Sequence, residues 1–559
     1  MYVRTISRTN KDGSKVTYVQ LAHNVWDQKA RCAKAEVIHT FGRTDALDVE
    51  ALKRLAKSIC RFLSPEDALA IQGTLGEERP LEFVKSVPMG GAYILRKLWE
   101  QVGISKLLVR CLKDRSFTSP VEWALFAMVA NRACAPGSKR AVEEWVRDDV
   151  ALGNPEPIGL QHLYRAMDVL LEHRELIHRE VFFSVADLLN LEVDLLFFDT
   201  TSTYIERDEE DENGLVRYGH SKDSRPDLPQ VVIGLAVTKE GIPVRSWVLP
   251  GNTQDVKTIE TVKKDLSGWK LSCCIWVADR GMNSEENRRI LQTAGGHYIL
   301  GEKLRDDQAV HQEVLSRKGR YKIVRDNLQV KEVTVGDGER RRRFVLVYNP
   351  EEAQKDKTTR EKHLSRLEET LAALKDEGKA HGKNVCALLT HRSLGRYLRT
   401  QKNGALVIDR GKIAEEARLD GKYILSTSDD SLSAEDVARG YKQLLEVERA
   451  FRTLKTTLEL RPLYHHKDDR IASHVFICFL ALLLVRIAER KTGITWDRIR
   501  SSMERLHLGE FSSKDGRILQ CTEATPEQLT ILKQLKISPP TTVQKIDLNR
   551  SIHRHTPEI

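Results

Sequence analysis

Between residues 195 and 301 apolar residues fall in short blocks: LLFFD at 195–199, VVIGLAV at 231–237, SCCIWVAD at 272–279 and GGHYILG at 295–301. Blocks of this length bounded by turn residues predict buried strands. IPVRSWVLPG, after the KEG turn, predicts another, and helix-like spacing precedes each of the last two blocks. Three early strands followed by alternating helices and strands predict a mixed α/β sheet.

The flanks read differently. YVRTI, a KDG turn and KVTYVQLA predict an N-terminal hairpin, followed by a helix in DALDVEALKRLAKSICRFL. From about 89 to 189 the chain is mostly helical in pattern, as in GAYILRKLWEQVGISKLLVRCL and SPVEWALFAMVANRACA. After Glu302 the α/β order breaks into RYKIVRDNLQVKEVTV, RRRFVLVYN, the charged helix TTREKHLSRLEETLAALKDEG and NGALVID. After DGKYILSTSDD, the stretch SAEDVARGYKQLLEVERAFRTLKTTLEL predicts one long helix with Ser433 as N-cap and Glu435 and Asp436 near its positive end. A second, apolar helix follows in RIASHVFICFLALLLVRIAER. The division expected is an N-terminal region (1–88), a helical, DNA-binding candidate (89–190), a first catalytic part (191–302), a β-rich insertion with a charged helix (303–419), a second catalytic part (420–490) and a C-terminal tail (491–559).

Composition narrows the class. At 559 residues, 41% hydrophobic and 30% charged, the chain has the balance of a folded soluble protein with several domains. A net charge of +9 favours a polyanionic partner without identifying one. Nine scattered cysteines without a CxxC pair suggest neither a zinc knuckle nor a disulfide framework, which fits a reducing cytoplasm. Neither a signal peptide nor a membrane span is expected, since LALLLV runs into charged RIAER. GDGER is not a Walker A loop, so ATP is not implied.

The candidate chemistry lies in Asp199, Asp279 and Glu448. Strands that stop at carboxylates hold rigid ligands at a sheet edge, and Asp199 and Asp279 are each read as ending an apolar strand. Asn283 as N-cap with Glu286 at N3 would anchor the chain beyond Asp279. Tyr441, Glu448 and Lys455 are spaced by seven, almost two helical turns, so one helical face carries all three. Leu444 and Phe451 set Glu448 beside an apolar stripe. Three carboxylates suit two Mg²⁺ ions about 4 Å apart, with Mn²⁺ as substitute, activating water or a DNA 3′-hydroxyl and stabilising the leaving oxygen. Lys455 is a candidate phosphate contact and Tyr441 a hydrogen-bonding or stacking contact to DNA; Arg449, Arg452, Arg461, Lys467 and Arg470 broaden the cationic surface. His465, His466 and His474 lack a ligand constellation and suggest local hydrogen bonds rather than zinc.

With LLFFDTTSTYIE, VVIGLAVTKEGIPVRSWVLPGNTQD, VADRGMNSEEN and YKQLLEVERAFRTLKTTLELRPLYHHKDDRIASHVF, the sequence resembles the DDE transposases of the IS4-like superfamily, particularly the IS1634-like insertion-sequence group. The late signature of that family is Tyr, Arg after two intervening residues, Glu after three more and Lys after six more. Tyr441, Glu448 and Lys455 match it, and Leu444 occupies the usual Arg position. The resemblance implies an RNase H-like catalytic core interrupted by a β-rich insertion. It also implies binding of terminal inverted-repeat DNA and target DNA, metal-dependent cleavage and strand transfer by a cut-and-paste route through a DNA hairpin, and a homodimer in a paired-end complex near the nucleoid. The competing expectations are an RNase H-like nuclease that cuts without joining, and a catalytically inactive DNA-binding derivative.

Overall fold

The computed structural model describes residues 1–10, 14–27, 32–49, 51–52, 55, 81–113, 120–153, 157–191, 193–269, 274–305, 309–338, 341–376, 383–391, 393–402, 405–461, 463–513 and 516–548. The chain divides into two compact units, one of Met1–Val84, Glu510–Leu519 and Lys545–Ile559, the other of Lys85–Gly509 and Gln520–Gln544. In the first, β1 (Tyr2–Thr9), β2 (Lys15–Asp27) and β3 (Cys32–Arg43) form an antiparallel sheet in that order. The expected hairpin is present, with Ile6 opposite Tyr18, and gains a third strand. The KDG turn and most of the helix expected over 45–63 lie outside the described residues.

A strand, β4 (Glu82–Pro88), precedes the helices α1 (Gly90–Gln101), α2 (Ile104–Leu112), α3 (Val121–Cys134), α4 (Lys139–Glu144), α5 (Leu160–Glu172) and α6 (Arg174–Leu189). Helix α3 is buried almost all round, from Val121 to Ala133, as its unbroken apolar composition requires.

The centre of the second unit is a nine-stranded mixed sheet. It contains β5 (Leu195–Tyr204), β6 (Gln230–Thr238), β7 (Pro243–Pro250), β8 (Ile275–Ala278), β9 (His297–Gly301), β10 (Lys322–Arg325), β11 (Leu328–Val335) and β12 (Arg342–Tyr348). A separate hairpin of β13 (Leu398–Thr400) and β14 (Leu406–Ile408) comes next in the chain, before the ninth strand, β15 (Lys422–Thr427). The order is β10-β11-β12-β15-β9-β8-β5-β6-β7. Only the β5–β8 and β8–β9 pairs are parallel; the others are antiparallel. Three of the strands between residues 322 and 348 therefore continue this sheet through β15.

Alternation along the strands gives the sheet two apolar faces. Phe197, Ile233, Val277 and Ile299 join one core cluster with the helices, and Leu196, Phe198, Ala236, Trp276 and Ala278 join another. Helices α7 (Thr258–Leu266) and α8 (Glu285–Gln292) supply Ile259, Val262 and Leu291 to the second cluster. The remaining helices up to the site are α9 (Ala309–Ser316), α10 (Pro350–Asp376), α11 (Lys383–Thr390) and α12 (Arg410–Ala417).

Three local expectations are corrected. Strand β5 does not stop at Asp199: TTSTY continues it, and pairing with β6 extends to Tyr204 opposite Gln230. Thr and Ser at 200–203 are buried, and the β-branched threonines suit a sheet interior. The expected long helix is two, α13 (Ala434–Lys442) and α14 (Leu445–Thr456). Tighter i→i+3 bonds from Leu444 N to Tyr441 O (3.0 Å), Glu446 N to Gln443 O (2.9 Å) and Val447 N to Leu444 O (3.2 Å) break the α-helical ladder while Leu444 is buried. Ser433 does cap the first helix, accepting from Asp436 N. The cap of α8 is Ser284, which accepts from Asn287 N at 3.1 Å; Asn283 instead donates to Gly301 O at 2.8 Å and accepts from Arg288.

Helix α15 (Asp468–Thr492) is the one described helix long and apolar enough to cross a membrane, but 89% of its most apolar stretch is buried inside the protein. It packs on α3, α5 and β7 as a core helix.

Candidate active site

Parallel pairing sets the first two carboxylates side by side. Phe198 of β5 lies opposite Ala278 of β8, so the next residues, Asp199 and Asp279, are neighbours on the face that carries Phe197 and Val277. Helix α14 covers this face, packing on β5 and β6 with Val447, Ala450, Phe451 and Leu454 buried. Glu448 is exposed on α14 rather than set in its apolar stripe, yet it lines the same cavity of about 290 Å³ as Asp199, Asp279, Thr200, Lys222 and Asp255. The Glu448 carboxylate makes no hydrogen bond or ion pair among the described residues, whereas both aspartates are held.

Asp199 Oδ1 accepts from its neighbour's amide, Thr200 N, at 2.7 Å. Burial pushes the Asp199 carboxyl up to about 6; Asp279 and Asp255 push the same way, against the Lys222 ammonium and the Thr200 amide. Asp279 Oδ1 accepts from the Tyr441 hydroxyl at 3.0 Å. Burial and the adjacent Asp279 hold that phenol far above its usual range, so it stays a donor. Gly301 makes room for it, since a Cβ there would collide with the Tyr441 oxygen.

Lys455 and Arg461 both pair with Asp223 Oδ1, at 2.6 Å and 2.5 Å. The Asp223 side chain is 4% exposed and its other oxygen is buried without a hydrogen-bond partner. Burial lowers the Lys455 ammonium from its ordinary value, with Asp223 opposing the shift. Arg470 is bound to the Tyr164 carbonyl and to Asp168, and Arg449 pairs with Glu446 on its own helix at 2.6 Å. Arg452 and Lys467 are exposed. Of the seven residues expected at a DNA surface, Tyr441, Arg449, Lys455, Arg461 and Arg470 are thus engaged by groups of the protein itself. His474 is buried between Lys139 Nζ (3.5 Å) and Cys478 Sγ (3.7 Å), and burial holds it well below its usual range.

Sequence reading missed Lys222, Asp223 and Asp255 as part of the site. Lys222 Nζ donates to Thr200 O and Thr200 Oγ1, both at 2.8 Å, and lies 3.1 Å from Asp255 Oδ2. Thr200 Oγ1 donates to Asp255 Oδ1 at 2.5 Å. Asp255 ends the GNTQD stretch, an acidic residue after a Gly turn, which was the available signal; Lys222 and Asp223 lie in a loop with no periodicity.

Hard oxygen donors crowded around a buried carboxyl, with Glu448 unengaged, fit a divalent cation in kind. Among the described residues, no three His, Cys, Asp or Glu side chains converge into a ready-made metal cluster. The carboxylates line the cavity instead of closing on one point.

Residues 195–484, more than half of the chain, match the family described as Transposase DDE domain, and residues 3–68 match the IS1634 family transposase, N-terminal domain. The chain therefore belongs to the DDE transposases, in the IS1634-like group that the carboxylate and YxxxxxxExxxxxxK spacing resembles. Comparison with curated protein sequences gave no match. Among solved structures, the piggyBac transposase synaptic complex with hairpin DNA is similar at 10% identity and a TM-score of 0.33, covering 75% of this chain and 82% of that one. Family membership carries with it a DNA-transposition-related, nuclease-type activity and a general dependence on divalent metal.

Proposed function

We propose that the protein is an insertion-sequence transposase that binds terminal inverted repeats, cuts DNA at the element ends and joins the freed 3′-hydroxyl to target DNA. The observation that carries this reading is the meeting of Asp199, Asp279 and Glu448, from two parallel strands and a covering helix, on one cavity. The order β7-β6-β5-β8-β9, with β6 antiparallel to its neighbours and β5, β8 and β9 parallel, supports an RNase H-like core within the larger sheet.

Asp199, Asp279 and Glu448 would hold Mg²⁺ or Mn²⁺, which when bound supplies charge neutralisation and an activated water or 3′-hydroxyl for in-line displacement. The protein's own groups prepare the site. Tyr441 fixes one oxygen of Asp279 and leaves the other for a ligand. The Thr200 amide does the same for Asp199. Glu448, unengaged, completes the set from the helix. Exposed Arg452 and Lys467 are candidate phosphate contacts, to which Lys455 and Arg461 would add only on leaving Asp223. Handling two element ends in one reaction calls for a paired assembly, most simply a homodimer working at the nucleoid.

Mapping the 5′ and 3′ termini of products made from paired element ends and target DNA tests this reading. Covalently joined strands with target duplication support it. Ends released by water and never joined would make the protein a nuclease, and a hairpin closing the element end, later opened by water, would support the cut-and-paste route in its hairpin form.

A further inference from the structure

Four carboxylates, Asp199, Asp255, Asp279 and Glu448, line the cavity, and a single ammonium, Lys222, stands among them. Lys222 is held by three oxygen-bearing groups, the Thr200 carbonyl, the Thr200 hydroxyl and Asp255. Its backbone is fixed as well, since Lys222 N donates to Ser202 Oγ at 2.8 Å. The same charge acts on Asp199, where it counters the pull of burial and of the other carboxylates. Asp255 is turned toward Lys222 and Thr200, with its Oδ1 shared between the two. A cation already sits where carboxylates would otherwise repel one another, and it occupies a fourth acidic group.

We propose that Lys222 is the resident counter-ion of the carboxylate pocket: it keeps Asp255 engaged and limits how tightly the pocket takes a divalent cation. The inference rests on the reading that Asp199, Asp279 and Glu448 hold such an ion. A unit charge 3.1 Å from the Asp255 carboxylate, and acting on Asp199 as well, opposes a divalent cation strongly even when the site is half open to water, so its removal strengthens binding and frees Asp255 as an additional oxygen donor.

Calorimetric titration of the metal-free full-length protein with MnCl₂, without DNA, reads this directly. Lys222→Met is expected to bind Mn²⁺ about tenfold more tightly or better, and Lys222→Arg, which keeps the charge, to stay close to the parent. Should Lys222→Met fail to fold, Lys222→Gln removes the charge while keeping a donor for Thr200, and the same gain is expected. A folded Lys222→Met or Lys222→Gln protein that binds Mn²⁺ no more tightly, while Asp279→Asn still abolishes binding, overturns the counter-ion role alone. Binding indifferent to Asp279→Asn puts the ion elsewhere and overturns both this inference and the reading beneath it.

Discussion

Asp199 and Asp279 are each held by one hydrogen bond, from the Thr200 amide and the Tyr441 hydroxyl. Asp279 follows an apolar block that is a strand, whereas Asp199 was read at a strand end and lies mid-strand, because the following threonines are buried and paired. Tyr441 was legible through its spacing from Glu448, yet as a contact for DNA. Only the fold turns it onto Asp279, a partner 162 positions away in the sequence. Tyr441→Phe removes one hydrogen bond to the Asp279 carboxylate, the proposed metal ligand, so Mg²⁺-supported end cleavage should fall about tenfold, the order expected for about 1–2 kcal/mol, with thermal stability nearly unchanged. Gly301→Ala should produce a similar loss by displacing the ring. A Tyr441→Phe enzyme as fast as the parent would remove the orienting role.

At the scale of elements, periodicity predicted the helix that carries Glu448 but not its break. No proline or glycine occupies Gln443–Leu444; the interruption comes from burying Leu444 while Tyr441 faces the sheet, a tertiary demand that local pattern does not record. The loop bearing Lys222 and Asp223 was equally silent, although it ties α14 to β5 from both sides: Asp223 to Lys455, Lys222 to Thr200. Arg132 of α3 adds a further tie, donating to the Glu459 carbonyl just beyond α14 at 3.2 Å. Asp223→Asn leaves Lys455 half-buried without its ion partner and should destabilise the second unit by about 3 kcal/mol. Differential scanning calorimetry would register this as a lower Tm, and an unchanged Tm would mean that the pair contributes nothing to the placement of α14.

For the whole molecule, the mixed α/β sheet was legible from block spacing and the family from the resemblance of the motifs around Asp199, Asp279 and Glu448, but the reach of the sheet was not. Strands β10 to β12 follow a break in the α/β order, and they join the sheet only because β15, more than 70 residues later, bridges them to β9. The helical core also sets a pH dependence. Burial holds His178 at about 3 and His465 at about 4, against an ordinary histidine value of 6.5. Between those values and 6.5 the unfolded chain binds protons that the folded chain does not, so these groups make stability rise with pH across the window and fall as pH drops below 6.5. Asp199, held up at about 6 from 3.8, acts in the opposite sense between those two values, but stands against these two and His474, which burial also holds well below 6.5. Tm measured from pH 7 down to 4.5 should therefore decline, and His178→Phe should shallow the slope; a flat profile would show that the histidines are not held neutral.

The central claim is that three carboxylates from separate elements form one metal-dependent site for cutting and joining DNA. The most direct measurement is Mg²⁺-dependent cleavage and strand transfer on paired native element ends with target DNA, comparing the parent protein with Asp279→Asn. The account predicts joined products that require Mg²⁺ and disappear in Asp279→Asn while the variant still folds and binds the ends. Joining that persists at the parental rate in Asp279→Asn, or without any divalent ion, would contradict it.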